Sequence, residues 1–569
     1  MNLIGPDTNL AKVVRDNLLK SAARSTITYL PKGEINKAVS MSGGELHKIV
    51  CDKAYTILQT TSFLQEKERP IILAMTPGLE FIITLFACIY AGVTTVVVPV
   101  SKSRIALKRL KGIIHDCGAT NILTDHIGDS VFNTLTNSDN HTLSIHNLFL
   151  KNKIEYPAIK EDKLHGFSKD HSENTFIQYT SGSSKSPKGV VLNDYNILHN
   201  CFLVADLWGL NENTIQASWL PHYHDMGLMS ILYPILNGGR LIFMSPISFL
   251  KKPIGWLQMI SAFKATSSGA PPFAFNLCLA EKNEEELKKL DLSTWKTSFC
   301  GAETVFRKVL DDFKVKFKVF GLVPHAVFSC YGMAEIALFV GGQPENNSNE
   351  IESEPKGLVA PCFLSKRSSN SIRIVDPSTL KLLEDGKKGE IWLQSDSLSK
   401  GYILNKGSLP LDVNSTEFSY LHSDLTGKWF RTGDLGIKIN HHLYVHGRLK
   451  DTIIVNGINI SASDIEWYAG EVHPELNGLA AAAFRSTINK EGRARLLIEI
   501  KKSKVKDVDF HEIENVIRAR IRYHFSVDLD EILILKRGCL ERTTSGKVRR
   551  MEIAKNFEKL HYKSSILNN

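Results

Sequence analysis

The chain has 569 residues, which is too long for one hydrophobic core, so we expect two or more domains. Its net charge of +9 is a mild bias at this length, and it contains no block of lysine and arginine. This argues against nucleic-acid binding but leaves an acidic protein or an anionic substrate open as partner.

The 9 cysteines are scattered without a C-x-x-C pair, and the N-terminus has no apolar signal-peptide core. Both features favour a reducing, cytoplasmic location without structural zinc.

One apolar segment, residues 81–100, carries no charge and is long enough to span a bilayer. The alternative is a buried helix that stops at Gly92 and is followed by a strand. We favour the alternative because the β-branched run after the glycine is typical of a strand bounded by turn signals, and no second span of this kind exists. The sequence therefore predicts no membrane span.

Short β-rich runs alternate with helical patterns along most of the chain, which is typical of parallel sheets covered by helices. Strands are expected within residues 70–75, 120–125, 239–246 and 264–272, and a charged helix within 281–290. From residue 372 onwards short strands and tight turns predict a β-rich module. We therefore expect an α/β fold with a large N-terminal domain of several subdomains, residues 1–449, and a small mobile α+β domain, residues 450–569.

The segment "QYTSGSSKSPKGVVL", residues 178–192, predicts a strand, a loop and a second strand. Its hydroxyl groups, the close backbone approach allowed by Gly182 and the charge of Lys188 suit a phosphate group. The spacing excludes a Walker A loop, which requires Gly, four residues and then Gly-Lys-Ser/Thr. A flexible surface turn is the alternative for this segment alone.

The segment "YTSGSSKSPKG" resembles the phosphate-binding signature of the adenylate-forming enzyme superfamily. Further motifs of that superfamily follow in order: "GAET" at 301–304, "YGMAE" at 331–335, "RTGDLG" at 431–436, "GRLKD" at 447–451 and "TTSGKVRR" at 543–550. A narrower resemblance to fatty acyl-AMP ligases is carried by "SWLPHYHDMGL" at 218–228 and by the alanine of "YGMAE". This resemblance implies activation of a medium- or long-chain fatty acid by ATP and acyl transfer to an acyl carrier protein, without nucleic acid.

The resemblance also implies a set of nucleotide-binding residues, with Tyr331 stacking on adenine and Asp434 accepting the ribose hydroxyls. The full set is Thr180, Ser181, Gly182, Ser183, Gly301, Ala302, Glu303, Tyr331, Gly332, Met333, Asp434 and Arg448. Tyr331 as an ordinary core aromatic residue is the alternative.

Three residues are implied to be catalytic: Lys547, Glu335 and Lys188. Glu335 is the expected Mg²⁺ ligand, because magnesium takes one or two carboxylates together with phosphate oxygens. Lys547 is the lysine that the mobile domain would bring to the carboxylate and α-phosphate, and Lys450 falls at the hinge. Without the ordered motifs, a solvated surface group would be the alternative interpretation for each of these residues.

The acyl substrate is expected to contact four residues: His224, Asp225, Gly269 and Phe273. A loop-stabilising pair is the alternative for His224 and Asp225. The polar loop at 343–357 is short for a fatty acyl-AMP ligase, which weakens the exclusion of coenzyme A. Coenzyme A as acceptor, amino-acid adenylation and a non-catalytic nucleotide-binding regulator are the competing hypotheses.

Overall fold

The computed structural model describes most of the chain. The described residues are 8–59, 69–128, 144–147, 164–170, 173–180, 188–344, 358–403, 413–414, 420–421, 427–455, 458–485, 493–501, 508–543, 546–557 and 566–567. Ser181, Gly182 and Ser183 and most of the polar loop at 343–357 lie outside these ranges. The predictions for those residues therefore stay predictions.

The strands of the first half are, in chain order, β1 (Ser25–Leu30), β2 (Val39–Ser42), β3 (Ile71–Ala74), β4 (Thr95–Val97), β5 (Asn121–Thr124), β6 (Ser144–Asn147), β7 (Asn174–Tyr179), β8 (Gly189–Asn193), β9 (Ile215–Ser218), β10 (Arg240–Met244), β11 (Ser267–Ala270), β12 (Thr297–Cys300), β13 (Val327–Ser329), β14 (Tyr331–Gly332) and β15 (Phe339–Gly341). Those of the second half are β16 (Pro361–Phe363), β17 (Ile372–Val375), β18 (Lys388–Leu393), β19 (Gly401–Ile403), β20 (Val413–Asn414), β21 (Tyr420–Leu421), β22 (Lys428–Ile439), β23 (His442–Arg448), β24 (Thr452–Val455), β25 (Ile458–Ser461), β26 (Leu476–Arg485), β27 (Ala494–Ile500) and β28 (Leu529–Leu535).

The α-helices are α1 (Leu10–Lys20), α2 (Gly43–Gln59), α3 (Leu79–Ala91), α4 (Arg104–Cys117), α5 (Asp194–Trp208), α6 (Asp225–Leu236), α7 (Pro246–Lys251), α8 (Ile254–Phe263), α9 (Pro272–Leu279), α10 (Glu284–Leu287), α11 (Arg307–Lys318), α12 (Lys366–Asn370), α13 (Ala462–Gly470), α14 (Phe510–Phe525) and α15 (Arg550–Asn556).

Two large sheets form the N-terminal part of the described chain. One has seven strands in the order β13-β12-β11-β9-β10-β1-β2, and all its neighbours are parallel except β1 and β2. The other has eight strands in the order β20-β19-β8-β7-β4-β3-β5-β6. Parallel strands require crossover connections, and helices supply them here. The predicted strands at 70–75, 120–125, 239–246 and 264–272 are all present.

The apolar segment at 81–100 is a buried helix followed by a strand. Helix α3 ends at Gly92, which has φ of 71° in the left-handed region, and β4 begins three residues later. A Cβ atom at Gly92 would also lie 2.8 Å from the His165 ring, so both backbone and space require glycine. Among the described residues no helix combines the length and apolar character that crossing a membrane demands.

The β-rich module is a sheet in the order β16-β23-β22-β18-β17, with β21 paired to β22. Beyond it, β26, β27 and β28 form a sheet that packs with α13 and α14 around its own core, which includes Ile465, Leu496 and Ile517. The α/β class with parallel sheets and a β-rich module is confirmed. A domain boundary between 449 and 450 stays a prediction.

Candidate active site

One cavity of about 430 Å³ collects side chains from distant parts of the sequence. The predicted site residues that line it are Thr180, His224, Asp225, Phe273, Ala302, Glu303, Tyr331, Gly332, Met333, Glu335, Asp434, Arg448, Lys450 and Lys547. They come from strand ends and loops of both large sheets, from the β-rich sheet and from the C-terminal segment. The fold therefore brings most of the predicted site residues into one cavity, although they lie far apart in the sequence.

A buried tyrosine, an aspartate and an arginine form the polar centre of the cavity. The Tyr331 hydroxyl donates to Asp434 Oδ2 at 2.6 Å, and Arg448 Nε lies 3.2 Å from Asp434 Oδ1. The pairing of β22 with β23 sets this geometry, because Asp434 and Arg448 are partners in register. Asp434 raises the pKa of Arg448, while burial and then Asp434 raise that of Tyr331. Each carboxylate oxygen can accept a second hydrogen bond, so Asp434 retains capacity for a ligand hydroxyl.

Glu335 is positioned by Tyr402, a residue that the sequence analysis missed. The Tyr402 hydroxyl donates to Glu335 Oε1 at 2.6 Å, and the Ser399 amide donates to the Glu335 carbonyl at 2.7 Å. Burial raises the pKa of the Glu335 carboxyl, and the Tyr402 hydroxyl and Arg448 oppose that shift. No spacing signal marks Tyr402, since only the pairing of β19 with β8 brings it here.

The phosphate-loop hairpin is described at its two ends. The Thr180 amide donates to the Lys188 carbonyl at 3.1 Å, which closes the base of the loop after β7. Lys188 Nζ lies 4.3 Å from the centre of the Tyr402 ring, a cation–π distance, rather than at the cavity wall. Tyr402 therefore contacts both Glu335 and Lys188.

The turn after β12 is shaped by a close approach and by an unusual backbone angle. A Cβ atom at Gly301 would lie 2.7 Å from Cys330 Sγ, so the position requires glycine. Ala302 has φ of 69°, which is rare for a residue with a side chain and is typical of functional turns. Gly301 itself does not line the cavity, but Ala302 and Glu303 do.

The apolar wall of the cavity lies between α5, α6 and the first sheet. Trp208 stacks on Phe299 with ring centres 4.9 Å apart, and Met229 and Tyr233 line the same wall. Gly269 lies behind Phe299 rather than at the wall, because its Cβ would fall 2.2 Å from that ring. The sequence analysis missed this wall, although a hydrophobic pattern in α5 and α6 was visible.

His224 and Asp225 stand where the cavity meets the start of α6. His224 precedes the helix and its carbonyl accepts from the Leu228 amide at 2.8 Å. Asp225 Oδ1 accepts from the Met226 amide at 2.7 Å. Both residues line the cavity, and the choice between an acyl contact and a loop-stabilising pair stays a prediction.

Comparison with known proteins fits this geometry. The family model described as "AMP-binding enzyme" matches residues 31–403. The chain belongs to the AMP-binding enzyme family. A medium-chain-fatty-acid–acyl-carrier-protein ligase of Moorena producens is 30% identical over 552 residues, which cover 93% of this chain and 91% of the relative. A probable long-chain-fatty-acid–AMP ligase of Mycobacterium tuberculosis is 29% identical over 535 residues, which cover 86% and 88%. The crystal structure of a fatty acid AMP ligase from Legionella pneumophila is 30% identical, covers 97% of this chain and 96% of that one, and has a TM-score of 0.66.

In this AMP-binding enzyme the turn that carries Lys547 is held by short backbone and side-chain bonds. The Thr543 amide donates to the Lys547 carbonyl at 2.7 Å, and the Lys547 amide donates to Thr543 Oγ1 at 3.1 Å. Lys450 lies in the short helical turn Leu449–Asp451, where burial and then the adjacent Arg448 lower its pKa. Both lysines line the cavity.

Arg550, three residues after Lys547, anchors that turn to α13. Its Nε and Nη2 donate to the two carboxylate oxygens of Glu466, each at 2.6 Å, and its Nη1 lies 3.5 Å from Asp451 Oδ2. The Ala483 amide also donates to Glu466 Oε1 at 2.8 Å. Burial raises the pKa of Glu466, and Arg550 opposes that shift. The pair thus fixes the chain on which Lys547 stands.

Replacing Arg550 with methionine should destabilise the C-terminal segment by roughly 3 kcal/mol, because Glu466 would keep a buried charge without its partner. Urea denaturation of the full chain measures this. Arg522→Met is the matched control, since Arg522 is 67% exposed in its pair with Asp528 and should change stability by less than about 1 kcal/mol. Equal effects of the two variants would contradict the anchoring role.

Proposed function

We propose that this enzyme uses ATP to convert a medium- or long-chain fatty acid into an acyl-adenylate and then transfers the acyl group to an acyl carrier protein. The observation that carries the proposal is the single cavity in which the cluster of Tyr331, Asp434 and Arg448 joins an apolar wall. One end suits a nucleotide and the other an alkyl chain. The relatives named as fatty-acid–carrier-protein and fatty-acid–AMP ligases support it.

In the proposed adenylation, a fatty carboxylate oxygen attacks the α-phosphorus of ATP. A P–O bond forms, the bond from that phosphorus to the bridging oxygen breaks, and pyrophosphate leaves. The protein contributes position and charge, which is how enzymes accelerate phosphoryl chemistry. Lys547 would stabilise the negative oxygens of the reacting groups, and Lys188 with the adjoining loop, Thr180, Ser181, Gly182 and Ser183, would hold the leaving pyrophosphate.

The nucleotide would be held by the residues around the Tyr331 cluster. Asp434 and Arg448 would bind the ribose, because Asp434 keeps acceptor capacity and Arg448 lies beside it. Tyr331 would stack on adenine, with Gly301, Ala302, Glu303, Gly332 and Met333 shaping the surrounding backbone. Phe273, His224 and Asp225 would border the reacting end of the acyl group.

Glu335 is the residue that fits Mg²⁺ in this enzyme. Its carboxylate is a hard oxygen donor at the cavity wall, and burial raises its pKa, so a bound cation would stabilise its charged form. A bound Mg²⁺ would supply positive charge to the phosphate oxygens of ATP. Tyr402 would orient the acid toward that position through its hydroxyl.

The second half-reaction would follow a rotation of the C-terminal domain, residues 450–569, about Lys450. The short turn Leu449–Asp451 joins the β-rich sheet to β24 and has no fully buried residue, which suits a hinge. The scattered cysteines, which include no C-x-x-C pair, support a reducing compartment such as the cytoplasm.

The competing acceptor is coenzyme A. Amino-acid adenylation is disfavoured because the wall formed by Trp208, Met229 and Phe299 is apolar. A non-catalytic nucleotide-binding role is disfavoured because Glu335, Asp434, Arg448 and Lys547 all reach one cavity.

Pyrophosphate exchange into ATP, measured with saturated fatty acids of graded length, should show a maximum at one chain length. Lys547→Ala should lower the exchange rate by about 10²–10³, the loss expected for one electrostatic contact in the transition state. Lys555→Ala, in the exposed face of α15, is the control and should exchange like the wild type. Near-normal exchange by Lys547→Ala would refute its assignment, and no exchange with any acid would favour the non-catalytic hypothesis.

Glu335→Gln should raise the Mg²⁺ concentration that gives half-maximal exchange by about tenfold or more, because the amide is a weaker ligand than the carboxylate. Mg²⁺ binding to the protein with a non-hydrolysable ATP analogue, followed by calorimetry, gives a readout independent of turnover. Glu471→Gln, on an exposed residue at the end of α13, should leave both values unchanged. An unchanged Mg²⁺ dependence in Glu335→Gln would exclude Glu335 as the ligand.

A competition between holo acyl carrier protein and coenzyme A tests the acceptor. The thioester with the carrier protein should form faster from the same enzyme-bound acyl-adenylate. Faster formation of the coenzyme A thioester would show that coenzyme A, not the carrier protein, is the acceptor. The proposed adenylation step would be unaffected.

A further inference from the structure

The apolar wall of the cavity contains a buried amide at the end away from the nucleotide. Val204, Trp208 and Leu210 line this end, and Gln216, the second residue of β9, lies among them. Gln216 is only 5% exposed. A polar side chain in this position has a cost unless something hydrogen-bonds to it.

Strand register places this amide on the acyl face of the first sheet. Gln216 is the register partner of Ser267, and two residues further along β11 Gly269 is the partner of Phe299. Side chains alternate along strands, so Gln216, Ser267 and Phe299 share one face. Gln216 lies at the start of its strand, whereas the reacting end of the cavity follows the end of that strand.

Gln216 and its neighbour Ser267 have hydrogen-bonding capacity to spare. Within the described residues, the one hydrogen bond of the Gln216 side chain runs from Nε2 to the Ala217 carbonyl at a long 3.4 Å. Ser267 is 1% exposed, and its Oγ has no partner among the described residues. Together these groups offer both donors and acceptors that the fold does not use.

Three other polar groups of this wall are satisfied internally. Ser230 Oγ donates to the Met226 carbonyl at 2.7 Å, the Tyr233 hydroxyl to Asn200 Oδ1 at 2.6 Å, and Trp208 Nε1 to the Gly342 carbonyl at 2.8 Å. Gln216 differs from these three groups, and Trp219 Nε1, just after the end of β9, also lacks a partner among the described residues. The contrast indicates that its partner comes from a bound molecule.

We propose that Gln216 binds a hydroxyl group near the far end of the acyl chain, so that the preferred substrate is an ω-hydroxylated medium-chain acid. This inference rests on the proposed function. The group bound by Gln216 must be neutral. Among the described lining residues, the Lys and Arg side chains belong to 448–450 and 547–550, which lie at the nucleotide end of the cavity. A distal carboxylate would lack a counter-charge there.

The strand gives the length of the chain that reaches Gln216. Extended backbone from Gln216 to Trp219 covers about 10 Å, at roughly 3.3 Å per residue. A saturated chain advances about 1.25 Å per carbon, since its C–C bonds are about 1.5 Å long. About eight carbons fill this stretch. With the carboxyl end placed beyond Trp219, near His224 and Asp225, the proposal requires an acid of about ten carbons to bring its last atom beside Gln216.

Pyrophosphate exchange with paired acids tests the inference: octanoate, decanoate and dodecanoate, each against its ω-hydroxy form. Wild-type enzyme should favour 10-hydroxydecanoate over decanoate in kcat/KM by about tenfold, because a site with unused buried polar groups discriminates against the analogue that leaves them unpaired. Gln216→Met keeps the shape and removes the amide, and it should reverse that preference. A thermal melt of each variant establishes that it is folded.

Ser230→Ala is the matched control, because it removes a hydroxyl from the same wall whose hydrogen bond is already internal. It should change exchange with decanoate and 10-hydroxydecanoate by the same factor. Equal or lower kcat/KM for the hydroxy acids at every length in the wild type would overturn the inference and leave the proposed function standing. A preference that persists in folded Gln216→Met would also overturn it. No exchange with any of the acids would overturn the proposed function and this inference with it.

Discussion

The ion pair between Arg550 and Glu466 determines whether the cavity is complete. It joins the chain after Lys547 to α13, and the contact with Asp451 joins both to the turn after β23. Taking a carboxylate out of water is expensive, and a buried pair is favourable only when its geometry is good and the remaining lone pairs are used. Here two parallel bonds and the Ala483 amide meet that condition. Lys547 reaches the cavity because this anchor holds its turn.

The cavity itself is built from two kinds of surface that meet at the end of β9. Toward the β-rich sheet, Asp434, Arg448 and Tyr331 satisfy each other, and toward α5 and α6 the wall is aromatic and aliphatic. A substrate that fills such a space must carry a charged head and an apolar tail. Gln216 is a polar residue within the apolar surface. At this position the cavity distinguishes acyl chains by the group at their far end.

Much of the fold was predictable because it depends on local pattern. The strand after Gly92 followed from β-branched residues after a glycine, and the hairpin around the phosphate loop from two apolar runs separated by Ser and Gly. Most of the described site residues in sequence motifs also line the cavity, although Lys188 and Gly301 do not. What local pattern does not contain is pairing between distant strands. Tyr402 and Gln216 take their places from register with β8 and β11, and Glu466 from a contact across 84 residues, so none of them was found.

Pairing between strands also determines the surroundings of Gly269, a residue that the sequence analysis did name. The sequence analysis expected it to contact the acyl group, and it lies in an apolar motif. In the structure the space beside Gly269 is filled by Phe299 from the neighbouring strand. The glycine leaves space for this ring, which stacks on Trp208. Its contribution to substrate binding is therefore indirect, through the aromatic surface that it allows to form, and a larger residue there would displace the wall rather than narrow the cavity.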